Sequence, residues 1–318
     1  DSLLDERTID EKCRKILEAK QKYVLPNVYP AETPGLWSRL NSPTDIALKQ
    51  QLYQAAITLI KNTDSLLPLK RLDTLRIASL NFGARAVNNF QTTLERYTQV
   101  THLLCKKKTH FVANKKLSDE ELRNLQKKLQ PFNCIIIYNN LSTNSAQKDF
   151  GYSTVLDTLI RQQTGKRIIL CHPGIPYGLA SYASLPTDAL LLSYENHLYA
   201  QQYAAQAIFG GIAMTARLPV CVNPDYPAGT GIQTPKTRLS YTSPEMCRLD
   251  SEKLAKIDSI CQLAVQAHAT PGCQVLIAKD GNIFYNKAFG HHTYKQTTPN
   301  KTSDIYDLAS VTKITATL

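Results

Sequence analysis

Hydrophobic runs alternate with amphipathic segments through the middle of the chain, between residues 75 and 209. The strand-like runs are "LRIASL" (75–80), "YTQVTHLL" (97–104), "NCIIIYN" (133–139), "KRIILCH" (166–172) and "DALLLSY" (188–194). Helical patterns lie near 85–95, 118–130, 153–163 and 198–209. Strands that are hydrophobic on both faces and alternate with helices are typical of a parallel sheet covered on both sides. The pattern predicts an α/β fold, a doubly wound and mostly parallel sheet of five or six strands between Leu75 and Val220.

Polar loops follow three of the predicted strands. They read "YNNLSTNS", "CHPGIPYG" and "SYENH". Ligands of doubly wound sheets bind beyond the carboxyl ends of the strands. We therefore expect the loops that hold Asn139, His172–Tyr177 and Tyr194–His197 to lie along one edge.

The chain before this sheet has two helical patterns. "TIDEKCRKILEAKQKY" begins with Thr8 and Glu11 at capping-box spacing, and a proline-rich connector (24–43) follows it. A second helix begins at "SPTD", with a serine cap and Pro43 in the first turn. The periodicity predicts that one face of this helix carries Ile46, Tyr53, Ala56, Ile57 and Ile60.

The chain after the sheet has a different pattern. Residues 224–245 are rich in Pro, Gly, Ser and Thr, which favours a linker. A helix is predicted near 250–268, and two β-patterned runs around "DGN" predict a hairpin over 271–290. "DIYDLASVTKITATL" follows, with Ser310 and Lys313 three residues apart at the start of a helical pattern.

Composition excludes several classes of protein. Apolar residues make up 43% and charged residues 20%, an ordinary globular balance, and no run is long enough to cross a bilayer. The net charge is +11, with lysine clusters at 106–108, 115–116 and 127–128. No nucleic-acid-binding motif accompanies them. These lysines are interpreted as a solvated face, and no nucleic-acid partner is expected.

The cysteines point to neither a metal site nor a disulfide framework. Eight are present, none in a C-x-x-C pair, and no His/Cys cluster has zinc spacing. Cys134 and Cys171 lie in apolar strand-like runs, where cysteine behaves as a small hydrophobic residue. We expect reduced core cysteines, no bound metal and no cofactor.

Two stretches that flank the predicted sheet carry a family resemblance. "AAITLIKNTDSLLPL" (55–69) and "YAAQAIFGGIAMTARLPV" (203–220), the latter after "SYENH", resemble the two ends of the C-terminal α/β domain of family 3 glycoside hydrolases. "TIDEKCRKILEAK" is similar to the last helix of the barrel domain that precedes it there. The resemblance implies that residues 1–41 are that helix plus a connector, and that residues 42–223 are the α/β domain.

This resemblance implies where the chemistry of such an enzyme resides. In the family the nucleophile is an aspartate of the barrel. The acid/base is a barrel His–Asp pair in the β-N-acetylglucosaminidase branch, or a glutamate of the α/β domain in other branches. Glu195 and His197 are the candidate sugar contacts on this ground, with Asn139 and Tyr177 in the neighbouring loops. A solvated loop acid or a helix-start charge is the alternative for Glu195, and His197 in the same loop has a corresponding alternative. For both residues the sequence favours that simpler interpretation.

The last segment, residues 246–318, carries a second resemblance. Its order of helix, hairpin and "DLASVTK" resembles the start of serine β-lactamases and penicillin-binding proteins, in the class C and esterase-like branch. Ser310 would be the nucleophile and Lys313, one helical turn away, the proton acceptor. The alternative is an ordinary serine and a surface lysine. "SAQK" (145–148) has the same spacing but lies in a polar loop, and "YNN", "YEN" and "HPG" precede Ser310 within the sheet domain, so we reject all four as catalytic motifs.

Together the two resemblances imply an internal segment of a bifunctional bacterial hydrolase. The only methionines are Met214 and Met246, and helical patterns lie at both ends of the chain. We expect the parent to hydrolyse O-glycosyl bonds of cell-wall carbohydrate in the periplasm or cell envelope, binding substrate through the barrel. The segment alone is expected to be inactive. The alternative is a non-catalytic scaffolding or sugar-binding module that braces a catalytic barrel.

Overall fold

The computed structural model describes residues 5–27, 33–105 and 119–317, and the chain divides into two compact units, Asp1–Asp45 and Ile46–Leu318. The described helices are α1 Glu6–Ala19, α2 Leu36–Leu40, α3 Pro43–Ala56, α4 Asn89–Leu94, α5 Asp119–Leu129, α6 Thr154–Arg161, α7 Leu198–Phe209, α8 Ser251–Gln266 and α9 Thr312–Ala316. The strands are β1 Thr58–Asn62, β2 Ile77–Phe82, β3 Val100–Cys105, β4 Cys134–Asn139, β5 Arg167–His172, β6 Ala189–Leu192, β7 Ser240–Tyr241, β8 Gly272–Lys279 and β9 Asn282–Gly290.

Helix α1 belongs to the first unit and begins earlier than its sequence pattern indicated. Asp5 is the N-cap residue, and its carboxylate accepts a hydrogen bond from the Thr8 backbone N–H at 2.6 Å. The predicted capping box on Thr8 is therefore wrong. Asp5 satisfies one of the free N–H groups of the first turn, which lets the helix start at Glu6. Glu11 instead accepts a hydrogen bond from Arg7 at 3.3 Å.

The main sheet of the second unit has six strands in the order β1-β6-β5-β4-β2-β3. Strands β2 to β6 pair in parallel, and β1 pairs antiparallel with β6 at the edge. One face is buried against α4 and α7, and the other against α5 and α6. Alternate residues of β4 face these two cores, so the whole strand is apolar. The predicted α/β fold with a mostly parallel sheet is confirmed.

The boundary between α3 and β1 differs from the expected one. The helix ends at Ala56, and Ile60 lies in β1 rather than on a helical face. In this strand Thr58 pairs with Leu192 and Leu59 with Leu191. The apolar residues in this stretch have helical spacing, but pairing with a buried neighbouring strand favours the extended conformation more strongly. The predicted helix through Ile60 is wrong.

The segment 224–245, interpreted from its composition as a linker, is hydrogen bonded along the sheet domain. The backbone N–H of Ile232 donates to Leu59 O, and that of Thr237 donates to Gly210 O, each at 2.8 Å. The Arg238 guanidinium donates to Leu69 O at 2.8 Å and also to Phe209 O. These contacts fix the segment in place.

Gln206 of α7 joins this segment to the sheet domain. The side chain is buried; its Nε2 donates to Tyr241 O at 2.9 Å, and its Oε1 accepts from Tyr241 N at 2.7 Å. The amide therefore takes both backbone groups of Tyr241, as a neighbouring strand would. Tyr241 ends β7, which pairs with β9 of the hairpin.

We predict that Gln206→Leu lowers the free energy of unfolding by about 2 kcal/mol, because the backbone N–H and C=O of the half-buried Tyr241 both lose their partner. Urea denaturation measures the change. Gln202→Leu, on a half-exposed position of the same helix, is the matched control and is expected to change stability by less than about 0.5 kcal/mol. Equal effects of the two substitutions would contradict the coupling role of Gln206.

The hairpin of the last segment is confirmed. Strands β8 and β9 are antiparallel and joined by Asp280 and Gly281, which both have positive φ, as a two-residue hairpin turn requires. Tyr285 of β9 is buried and donates a hydrogen bond to Asp258 of α8 at 2.6 Å. Helix α8 thus covers one side of the hairpin.

Other expectations concern charge, cysteines and membranes. Lys127 and Lys128 are exposed, while the lysine clusters at 106–108 and 115–116 lie outside the described residues. None of the eight cysteines, all of which lie in the described ranges, forms a disulfide, and five of them are buried. Within the described ranges, no helix combines the length and the apolar character that a membrane span needs.

Candidate functional site

The loops after β4, β5 and β6 meet at one edge of the sheet. Asn196 lies in the loop after β6; it accepts a hydrogen bond from Tyr138 Oη and donates one to Asn140 Oδ1, each at 2.9 Å. Ser142, in the loop after β4, lies 3.0 Å from Nδ1 of His172, measured from its Oγ. The prediction that these loops share an edge is confirmed, and it follows from the parallel pairing of the three strands.

Glu195 is held at this edge by a tyrosine from a distant part of the chain. The Tyr53 hydroxyl, on α3, donates to Glu195 Oε2 at 2.6 Å. Burial, followed by the hydrogen bond and the charge of Glu195, raises the pKa of Tyr53 to about 12. Tyr53 therefore stays a protonated donor at neutral pH, and the exposed carboxylate keeps a fixed position.

Aromatic rings surround this carboxylate. The rings of Tyr53 and His197 stack with centroids 4.6 Å apart and an angle of 2° between their planes, and Tyr199 lies tilted at 6.2 Å from Tyr53. His197 is the N-cap of α7, and its Nδ1 accepts a hydrogen bond from the Tyr199 backbone N–H at 3.2 Å. Burial and the charge of Lys49 lower the pKa of His197, with Glu195 acting in the opposite direction. The imidazole is thus neutral at pH 7, as this hydrogen bond requires.

The other two predicted sugar contacts lie apart from this cluster. Asn139 is fully buried, and its amide bonds Tyr182 Oη at 2.7 Å, Gly151 O at 3.1 Å and the Leu141 backbone N–H at 3.1 Å. Asn139 therefore holds the loop after β4 from beneath. Tyr177 is about half exposed and packs against Phe150, with ring centroids 6.4 Å apart.

His172 also lies beneath the edge, fully buried. Its Nε2 lies 3.3 Å from Ile175 O, and a Cβ at Gly174 or Gly178 would come within 2.7 Å of this ring nitrogen. Both positions therefore require glycine. Burial lowers the pKa of His172 to about 4. At neutral pH the ring is an uncharged support for the loops.

Ser310 and Lys313 adjoin each other in the last helical segment. Ser310 lies in the turn Ala309–Val311, directly before α9, and Lys313 Nζ lies 3.4 Å from Ser310 Oγ. Both side chains are exposed. The two side chains are therefore neighbours, one helical turn apart.

The described residues contain no group of three His, Cys, Asp or Glu side chains that could hold a metal ion.

Comparison with known proteins gives structural neighbours only. No protein-family model and no curated protein matches the chain. A family 3 β-N-acetylglucosaminidase from a Paenibacillus species is similar at 16% identity and a TM-score of 0.46 over 66% of this chain. A fungal multi-domain family 3 β-N-acetylglucosaminidase is similar at 21% identity and 0.45 over 70%, and a β-glucosidase from Erythrobacter marinus at 17% and 0.49 over 73%.

This chain spans 39%, 24% and 41% of those three structures. At such identities and scores the likeness is one of folds and assigns no activity. The fold itself rests on the strand pairing described above.

Proposed function

We propose that this chain is the α/β part of a glycoside hydrolase similar to the family 3 β-N-acetylglucosaminidases, and that its Glu195 edge contacts the sugar. The observation that carries the proposal is the Glu195 carboxylate, exposed at the carboxyl edge of the sheet and fixed by Tyr53 at 2.6 Å. The resemblance of residues 55–69 and 203–220 to the ends of that domain supports it.

Hydrolysis of a glycosidic bond needs two carboxyl groups, or equivalent groups, that flank the bond. Glu195 would supply a carboxylate from this side, and a barrel domain, which the resemblance implies, would supply the nucleophile. A carboxylate that is already fixed by a phenol accepts hydrogen bonds from sugar hydroxyls without first losing side-chain freedom. The rings of Tyr53, His197 and Tyr199 add apolar surface beside it. Sugar positioning is therefore the role that this geometry supports best.

Isothermal titration calorimetry of the 318-residue chain with N-acetylglucosamine and its β-1,4-linked disaccharide tests the proposal. We expect Glu195→Gln to weaken binding about tenfold, because a charged acceptor is lost, and Tyr53→Phe to weaken it a few-fold, because the ring stays but the carboxylate is released. Tyr306→Phe, at an exposed tyrosine of the last segment that is not a candidate sugar contact, is the control and should bind as the unaltered chain does.

The same titration separates sugar contact from the alternative, a module that only braces a catalytic barrel. A bracing surface needs no affinity for free sugar. Saturable binding that depends on Glu195 supports sugar contact, whereas no binding, or binding indifferent to both substitutions, contradicts the proposal and favours bracing.

A second candidate function rests on Ser310. The 3.4 Å distance between Lys313 Nζ and Ser310 Oγ favours a serine hydrolase of the β-lactamase or esterase-like kind, in which the lysine amine takes the serine proton during attack. With the first proposal it would make the parent a bifunctional hydrolase of cell-wall carbohydrate and attached peptide or ester groups, in a bacterial envelope.

We predict that the 318-residue chain alone forms no stoichiometric adduct with a fluorophosphonate probe. Acylation needs oxyanion donors held together with the nucleophile and base, and in the described part of the chain Ser310 is exposed, with Lys313 as its side-chain partner. Intact-mass spectrometry measures the adduct, with Ser310→Ala as control. A full adduct that disappears in Ser310→Ala would contradict this prediction.

A further inference from the structure

A cleft of about 890 Å³ opens at the edge of the sheet opposite Glu195. Residues at the amino ends of β2 and β3, together with the Pro131–Phe132 segment before β4, form one side, and Asn286, Thr302 and Ser303 of the last segment form the other. Because β2, β3 and β4 run in parallel, their amino ends meet at this edge. The volume lies within the range of pockets that hold small molecules.

Two arginines line the cleft, and both are held in place. The Arg96 guanidinium carbon lies 4.8 Å from the centre of the Tyr241 ring, and the Tyr241 hydroxyl donates to Arg96 O at 3.1 Å. Arg76 donates from Nε to Pro131 O at 2.7 Å, and its backbone N–H donates to Asn133 Oδ1 at 2.8 Å. Each guanidinium is therefore positioned while its terminal nitrogens keep donor capacity.

The charges of the cleft are not balanced by the protein. Within the described ranges, neither Arg76 nor Arg96 has a carboxylate within ion-pairing distance. Glu95 also lines the cleft. Its Oε1 lies 2.9 Å from His102 Nε2, but the geometry of this contact is not that of a hydrogen bond. The carboxylate is thus placed next to the imidazole rather than paired with an arginine. Counting Glu95, the two arginines leave the described lining of the cleft with a net charge of +1, and neither guanidinium has an ion-pair partner.

The remaining polar lining consists largely of hydroxyl and amide donors: Thr92, Thr98, Gln99, Asn286, Thr302 and Ser303. Planar guanidinium groups match the two oxygens of a carboxylate or phosphate, and neutral donors add hydrogen bonds to the same oxygens. We propose that this cleft binds a small organic anion, recognised through carboxylate or phosphate oxygens by Arg76 and Arg96. Since its two sides come from the sheet domain and the last segment, a bound anion would also hold these two parts together.

The test is calorimetric titration of the 318-residue chain at low ionic strength with two probes, glutarate and inorganic phosphate. Saturation by glutarate alone assigns the site to carboxylates, saturation by phosphate alone to phosphates, and saturation by both to the shared oxyanion chemistry. We expect Arg76→Gln and Arg96→Gln each to weaken binding about tenfold, as loss of a charged bidentate partner does. Binding should also raise the melting temperature, because the folded state alone holds the anion.

Arg167→Gln is the matched control, because Arg167 is exposed at the same edge of the sheet but does not line this cleft. It should bind the probes as the unaltered chain does. No saturable binding of either probe overturns the proposal, and so does an equal loss in all three variants, which would show diffuse attraction by the basic edge. Circular dichroism serves to check that each variant is folded, which we expect because only exposed side chains are altered. Glu195→Gln should bind the anion normally, which keeps this result independent of the sugar proposal.

Discussion

Replacing Asn139 by alanine is expected to lower the free energy of unfolding by about 3 kcal/mol, because several buried groups lose a hydrogen-bond partner at once. The amide donates to Tyr182 Oη and to Gly151 O, and it accepts from the Leu141 backbone N–H. Alanine leaves these three groups without that partner in a site that is closed to water. The loop after β4 should then loosen.

Urea denaturation followed by far-ultraviolet circular dichroism measures this loss. Asn140→Ala is the matched control, because Asn140 is the next residue and half-exposed, and its side chain accepts a hydrogen bond from the exposed Asn196. We expect the control to lose less than about 1 kcal/mol. A loss at Asn139 no larger than that at Asn140 would show that the buried amide does not hold the loop.

Acidification from pH 6.5 to about pH 4 is expected to remove about 3 kcal/mol of stability through His172. In the unfolded chain this imidazole takes up a proton near pH 6.5, whereas burial lowers its pKa in the folded chain to about 4. The unfolded state therefore binds more protons in this range. The stabilising contribution is complete above pH 6.5 and falls as the pH approaches 4.

Denaturation of the chain and of His172→Gln at pH 7 and pH 4.5 isolates this effect. The variant should lose much less stability on acidification, even if it starts from a lower value at pH 7. His268→Gln, at an exposed histidine, is the control and should keep the full acid dependence. The burial argument fails if the His172 variant and the unaltered chain lose the same stability between the two pH values.

The sheet could be predicted from sequence because burial on both faces leaves a continuous apolar run. Strand β4 shows this most clearly, since Ile135 and Ile137 face one core while Ile136 and Tyr138 face the other. The edge that holds Glu195 followed from the parallel pairing of such strands. Strand β1 could not be predicted in this way, because its pairing with β6 is a long-range contact that local periodicity does not encode.

The candidate site was only partly predictable for the same reason. Glu195 and His197 stood out as polar residues after a strand. Their partner Tyr53 lies 142 positions away from Glu195, on a helix whose pattern grouped it with apolar residues on one face. The contacts of residues 224–245 could not be predicted from the sequence either. A composition rich in proline and glycine indicates only that a segment lacks regular secondary structure. It does not show that the backbone of this segment forms hydrogen bonds with Gly210, Leu59 and Gln206.

A crystal structure of the chain soaked with N-acetylglucosamine tests most directly whether the Glu195 edge contacts sugar. We predict density for the sugar at this edge, with at least one hydroxyl within about 3 Å of the Glu195 carboxylate and the ring beside Tyr53, His197 and Tyr199. Tyr53 should keep its hydrogen bond to Glu195 in the complex. Sugar bound elsewhere on the molecule, with the accessible Glu195 edge left empty, would contradict the proposed function.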